Sequence, residues 1–114
     1  METVKKVIQT YIQGTKTGDT KLLKSVFHEK AILSGDLGPQ KLVGESPEMF
    51  FRDIEGYKAP ETYQAVIGEI TITGEIASAT IEERGLKNAN FVNVFHLQQI
   101  DGEWKIISKL FTTL

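Results

Sequence analysis

The chain contains no cysteine among its 114 residues, which excludes disulfides, thiol nucleophiles and cysteine-ligated metals. It also lacks an excess of positive charge: 13 lysines and arginines stand against 15 aspartates and glutamates, for a net charge of −2. Without a basic face, neither nucleic acid nor an anionic membrane is an expected partner. No stretch approaches the ~20 apolar residues of a membrane span, and the opening METVKKVIQTYIQG has no uninterrupted apolar core of the signal-peptide kind. Internal repeats and low-complexity tracts are absent. There are two histidines, His28 and His96, in separate segments and without a carboxylate or second histidine at ligand spacing, so neither a metal site nor a catalytic triad is expected, and no cofactor. The SGDLGP segment has no accompanying Gly-x-Gly-x-x-Gly or Gly-Lys-Ser/Thr pattern and is no phosphate cradle. What remains is a soluble, cytoplasmic, single-domain chain, 40% hydrophobic and 25% charged, an ordinary globular composition.

Val4, Val7, Ile8, Tyr11 and Ile12 recur at the spacing of a helix buried on one side. Thr3 is placed to cap its start and Gly18 to end it in a left-handed turn. Asp19 then caps a second helix whose apolar stripe is Leu22, Leu23, Val26 and Phe27, with His28 beside its C-terminal dipole. AILSGDLGPQKLVG reads as two short strands about a Gly- and Pro-containing turn. In ESPEMFFRDIEG, Ser46 as cap, Pro47 at the first position and early acidic residues mark a short third helix. From Tyr63 onward the period changes to two and β-branched residues dominate, as in an antiparallel meander with hairpin turns at Gly74-Glu75 and Asp101-Gly102.

A two-residue turn at Asp101-Gly102 sets the facing pairs of the closing hairpin. Strict alternation then puts Phe91, Asn93, Phe95, Leu97, Trp104, Ile106, Ser108 and Leu110 on one face, and Val92, Val94, His96, Ile107, Lys109 and Phe111 on the other. The first face carries the heavier aromatic and aliphatic load and is expected against the helices; burying each large side chain contributes roughly 1.5–3 kcal/mol. The second face is too apolar for plain exposure, so a homodimer packed through Val92, Val94, His96, Ile107 and Phe111 is expected, with Lys105 and Lys109 towards its rim. Asn93 and Ser108 on the inner face need partners, the Tyr11 hydroxyl or a ligand among them.

The order of elements, with YIQGTKTGDTKLLKSVFHEKAIL at one end and IDGEWKIISKLF at the other, resembles the nuclear transport factor 2-like superfamily. Within it the likeness is to the small bacterial proteins of the putative lumazine-binding branch, and more distantly to SnoaL-like polyketide cyclases and ketosteroid isomerases. The resemblance implies an α+β cystatin-like cone: three N-terminal helices on a strongly curved antiparallel sheet, an apolar interior pocket and a homodimer. It does not imply a shared reaction, because this fold carries enzymes, carriers and assembly domains alike.

Tyr11, Phe27, Phe95 and Trp104, together with Asn93 and Ser108, are the expected pocket lining, an aromatic surface suited to a planar ligand. Ordinary core packing is the competing reading for each. An enzyme of this fold needs an inward carboxylate or histidine of shifted pKa. Keeping Ala77, Ala79 and Ile81 inward offers only Glu83, at a strand end, and no catalytic residue is assigned; with Val66, Ile70 and Ile72 inward, Glu69 faces away. The expectation is a non-enzymatic, small-molecule-binding homodimer. The alternatives are an isomerase, cyclase or dehydratase, and a purely structural association module. A β-bulge near Gly68 or Gly85 would invert the facing assignments.

Overall fold

The structure, a computed structural model, describes residues 2–114. Its elements in chain order are α1 (Glu2–Thr17), α2 (Thr20–Val26), β1 (Phe27–Leu37), β2 (Gln40–Glu45), α3 (Glu48–Ile54), β3 (Gln64–Thr73), β4 (Ile76–Leu86), β5 (Ala89–Ile100) and β6 (Glu103–Thr113). The stripe of α1 buries Val4, Ile8 and Tyr11 completely. The helix ends at Gly18, in the left-handed conformation at φ +73°, with the Asp19 N–H returning to the Gly14 carbonyl at 3.0 Å. A Cβ on Gly18 would lie 2.5 Å from the Tyr57 carbonyl oxygen, so only glycine lets this corner rest on the chain leaving α3.

Asp19 caps α2 by accepting the Leu22 N–H at 3.1 Å. Three local expectations shift. Helix α1 already runs through Thr3, which is therefore not its cap. Helix α2 stops at Val26, and Phe27 and His28 open β1 because Phe27 pairs with Ile106 of β6; His28 Nδ1 accepts the Lys30 N–H at 3.0 Å instead of capping a helix. Pro47, not Ser46, precedes α3, although Ser46 Oγ still accepts the Glu48 N–H at 3.2 Å.

The strands form one six-stranded sheet in the order β2-β1-β6-β5-β4-β3, antiparallel except for the β1–β6 pair, and the three helices pack on one face. This is the α+β class anticipated. Both hairpin turns fall where the sequence put them, with Thr73 opposite Ile76 and Ile100 opposite Glu103. The left-handed φ of Asp101 (52°) and Gly102 (82°) is the type I′ geometry of a two-residue loop.

Alternation is broken at bulges, which bend and twist the sheet. In β3 a shift between Ile67 and Ile70 turns Ile67 and Ile70 inward and leaves Val66, expected in the core, exposed beside Glu82. A second irregularity lies between Arg84 and Leu86. The third matters most: Leu97 faces Ile106 but His96 faces Ser108, so Ile107 is an extra residue on β6. Before it, Trp104 and Ile106 point inward as alternation requires. Beyond it the assignments reverse, and Lys109 and Phe111 are buried while Ser108 and Leu110 lie on the outer face beside His96 and Val94.

Candidate functional site

The inner face of β4 presents Ala77, Ala79, Ile81 and Glu83 in alternation, and Glu83 is fully buried. An ionised carboxylate in such a place survives only if hydrogen bonds replace its water. Three donors do so: Tyr63 Oη–H to Oε2 at 2.6 Å, Asn93 Nδ2–H to Oε1 at 2.6 Å, and Tyr11 Oη–H to Oε1 at 3.1 Å. They come from the loop before β3, from β5 and from α1, so the carboxylate ties helix to sheet. Burial, and then the Glu83 charge, push both tyrosine hydroxyls well above their ordinary range, which fixes them as donors. Among the described residues, Asn93 Oδ1 is buried without a partner.

On the neighbouring strand, the Ile107 bulge sends the Lys109 side chain into the same interior, where it is 5% exposed. Its ammonium lies 4.2 Å from the centre of the Phe50 ring, 5.0 Å from Phe111 and 5.6 Å from Tyr11, a cage of ring faces that attract a cation. Burial lowers its pKa from 10.5 to about 8, outweighing the opposing pull of the Glu83 charge.

Lys109 and Phe111 border a cavity of about 250 Å³ at one end of the inner face. Its walls are Leu33 and Leu37 of β1, Leu42 of β2, Met49, Phe50 and Ile54 of α3, and Leu86, Ala89 and Phe91 around the β4–β5 turn; Asp53 and Lys87 also border it. Glu83 does not border the cavity: it is sealed beneath, its oxygens held by the three donors. Among the described residues, no group of three or more histidines or carboxylates is placed to hold a metal ion.

The cavity is displaced from the lining expected from strict alternation. Tyr11, Phe27 and Phe95 are buried core, packed ring against ring, with Tyr11 and Phe95 4.8 Å apart edge-on. Asn93 is committed to Glu83. Trp104 is half-buried against the core, and Ser108 is turned to the outer face by the bulge. None of these six borders the cavity. Of the five residues assigned to an outer dimer surface, Val92, Val94 and His96 do lie on that face and Ile107 is the bulge itself, whereas Phe111 is inside, 6.0 Å from Phe91. Lys105, expected at the same rim, donates to the Ser25 carbonyl at 2.8 Å. Sequence reasoning missed Lys109, because a lysine between Ser108 and Leu110 looks like an outward residue unless the extra residue at Ile107 is known.

A layer of helices on one face of a bent six-stranded sheet is the architecture of a nuclear transport factor 2-like domain. The chain belongs to the family described as "Putative lumazine-binding", whose pattern matches residues 1–112. It is similar to an NTF2-like protein of unknown function from Shewanella baltica, with 28% identity and a TM-score of 0.90 over 99% of this chain and 92% of that one. A second such protein, from Methylobacillus flagellatus, shares 24% identity with a TM-score of 0.91 over 99% and 90% of the two chains. A putative dehydratase of the NTF2-like family from Streptomyces avermitilis shares the fold at 16% identity and a TM-score of 0.70, covering 99% of this chain and 94% of that one. None of the curated proteins matches the chain.

Proposed function

We propose that the chain is a small-molecule-binding protein that holds a compact organic ligand in the cavity between α3, the β1–β2 hairpin and the β5–β6 strands. The observation that carries this reading is a cavity of about 250 Å³ walled by leucine, methionine and phenylalanine, with one buried cation at its edge. An apolar concavity with few polar groups is the usual form of a ligand site, and this volume lies below the usual range of ~300–1,000 Å³, which suits a small occupant. The family description points the same way. A thermal-shift screen of lumazine, flavin-like heterocycles and small organic acids tests the reading. Stabilisation by at least one class that is lost on Leu33→Trp, which fills the cavity, is the expected result. Uniform failure to stabilise would favour an association module whose interior needs no ligand.

The proposal includes a homodimer packed through the outer sheet face. Ile32 and Leu110 are 44% and 48% exposed there, Leu110 opposite Val94 and Ile32 opposite Ser108, and exposed apolar groups on a sheet face favour association. The informative substitution is Leu110→Glu, since Phe111 lies inside. Sedimentation should shift from dimer to monomer; an unchanged dimer would place the interface elsewhere. A second reading, a pocket enzyme, is favoured by one observation: an amine with a pKa of about 8 bordering the cavity can exchange protons near neutrality.

A further inference from the structure

Lys109 is provided for incompletely. An ammonium carries three N–H donors; among the described residues, none of the three has a hydrogen-bond acceptor, and no carboxylate comes within 4.0 Å to form an ion pair. Glu83, whose charge acts on Lys109, accepts hydrogen bonds from Tyr11, Tyr63 and Asn93 instead. The faces of Tyr11, Phe50 and Phe111 hold the ammonium by their quadrupoles, but they accept no conventional hydrogen bond. These rings fix the position of the charge and leave its donors available towards the cavity that Lys109 borders.

The remaining wall offers a ligand one other cation, and that one is exposed to water and partly engaged. Leu33, Leu37, Leu42 and Met49 are apolar. The other cation there, Lys87, is engaged with the Asp53 carbonyl at 2.6 Å and lies over the Tyr57 ring at 5.0 Å. The Asp53 carboxylate would repel an anion close by and so disfavours binding of the charged end on its side.

We propose that the ligand is a compact organic anion, a carboxylate on a small apolar or aromatic body, which ends head-first on the Lys109 ammonium and packs its body against the leucine and phenylalanine walls. This rests on the binding reading above and adds to it the ligand's charge and orientation. A carboxylate supplies the acceptors that Lys109 lacks among the described residues, and a charge-assisted hydrogen bond is shorter and stronger than a neutral one.

Titration calorimetry of the full chain near neutral pH, with phenylacetate and hexanoate against the matched phenylacetamide and hexanamide, tests this directly. The acids should bind roughly ten- to a hundredfold more tightly than their amides. In Lys109→Met that preference should vanish. Equal affinity of acids and amides in the native chain, or an acid preference that persists in Lys109→Met, would overturn the proposal and leave the binding reading standing. Binding of neutral heterocycles alone would have the same meaning, whereas no binding by any compound would overturn both. Should the variant fold poorly, the native chain still decides: bound phenylacetate must raise the titration midpoint of the Lys109 ammonium, and an unmoved midpoint overturns the anion assignment.

Discussion

Glu83 and Lys109 are both ionisable, both buried on the inner face of the same sheet, and differently provided for. The carboxylate lies where α1, the loop before β3 and β5 converge, and it receives a donor from each. The ammonium lies on β6 against three rings, borders the cavity, and has no acceptor among the described residues. A buried charge to which the fold supplies three donors acts as a structural tie; one left short of partners beside a cavity is available to something else. The difference separates, within one interior, the part that holds the molecule together from the part that can act on a ligand.

The largest effect is expected at the satisfied charge. Replacing Glu83 by Ala strands three buried donors at once and should lower stability by roughly 3–5 kcal/mol, read from the urea midpoint. A loss below about 1 kcal/mol would mean that the network is not buried as described.

The opposite sign is expected at the other charge. A lysine whose pKa falls from 10.5 in the unfolded chain to about 8 in the folded one carries a penalty of roughly 3 kcal/mol while both states are protonated. Below pH 8 that penalty is complete. Between about 8 and 10.5 the unfolded chain holds a proton that the folded chain has released, so stability rises with pH. The raised pKa values of Tyr11 and Tyr63 act the other way above about pH 10, where only the unfolded chain loses those protons, so the rise is best read between 8 and 10. Lys109→Met should be more stable than the native chain near neutrality and should lose this rise. A variant less stable at every pH would contradict the assignment.

The smallest effects sharpen the comparison inside the network. Tyr63→Phe and Tyr11→Phe each remove one donor from Glu83 and should cost about 1–3 kcal/mol. The shorter bond, 2.6 Å against 3.1 Å, places Tyr63 above Tyr11 in that order, and thermal melts of the pair check it.

The helices, the meander and its turns could be read from the sequence because each is announced locally: the apolar spacing of α1, the Gly18-Asp19 corner, and the Asp101-Gly102 turn that sets Ile100 opposite Glu103. Glu83 too could be placed inward, since β4 alternates regularly from Ala77 to that residue. Its three partners could not, because they come from elements remote in sequence. The site itself was hidden by one residue. The pairing that begins at the turn holds as far as Leu97 and Ile106, and the extra residue Ile107 then exchanges the two faces, bringing in Lys109 and Phe111 and turning out Ser108. Nothing in IISKLF marks that bulge, because isoleucines on both sides fit either face equally well.

The inward position of Lys109 is the claim on which the cavity, its charge and its proposed ligand depend. Titration of the lysine side chains by nuclear magnetic resonance, with the Lys109 signal assigned by its loss in Lys109→Met, measures it directly. A midpoint of about 8 is the expected result; a midpoint near the ordinary 10.5 would place this lysine in water, on the outer face that strict alternation assigns to it.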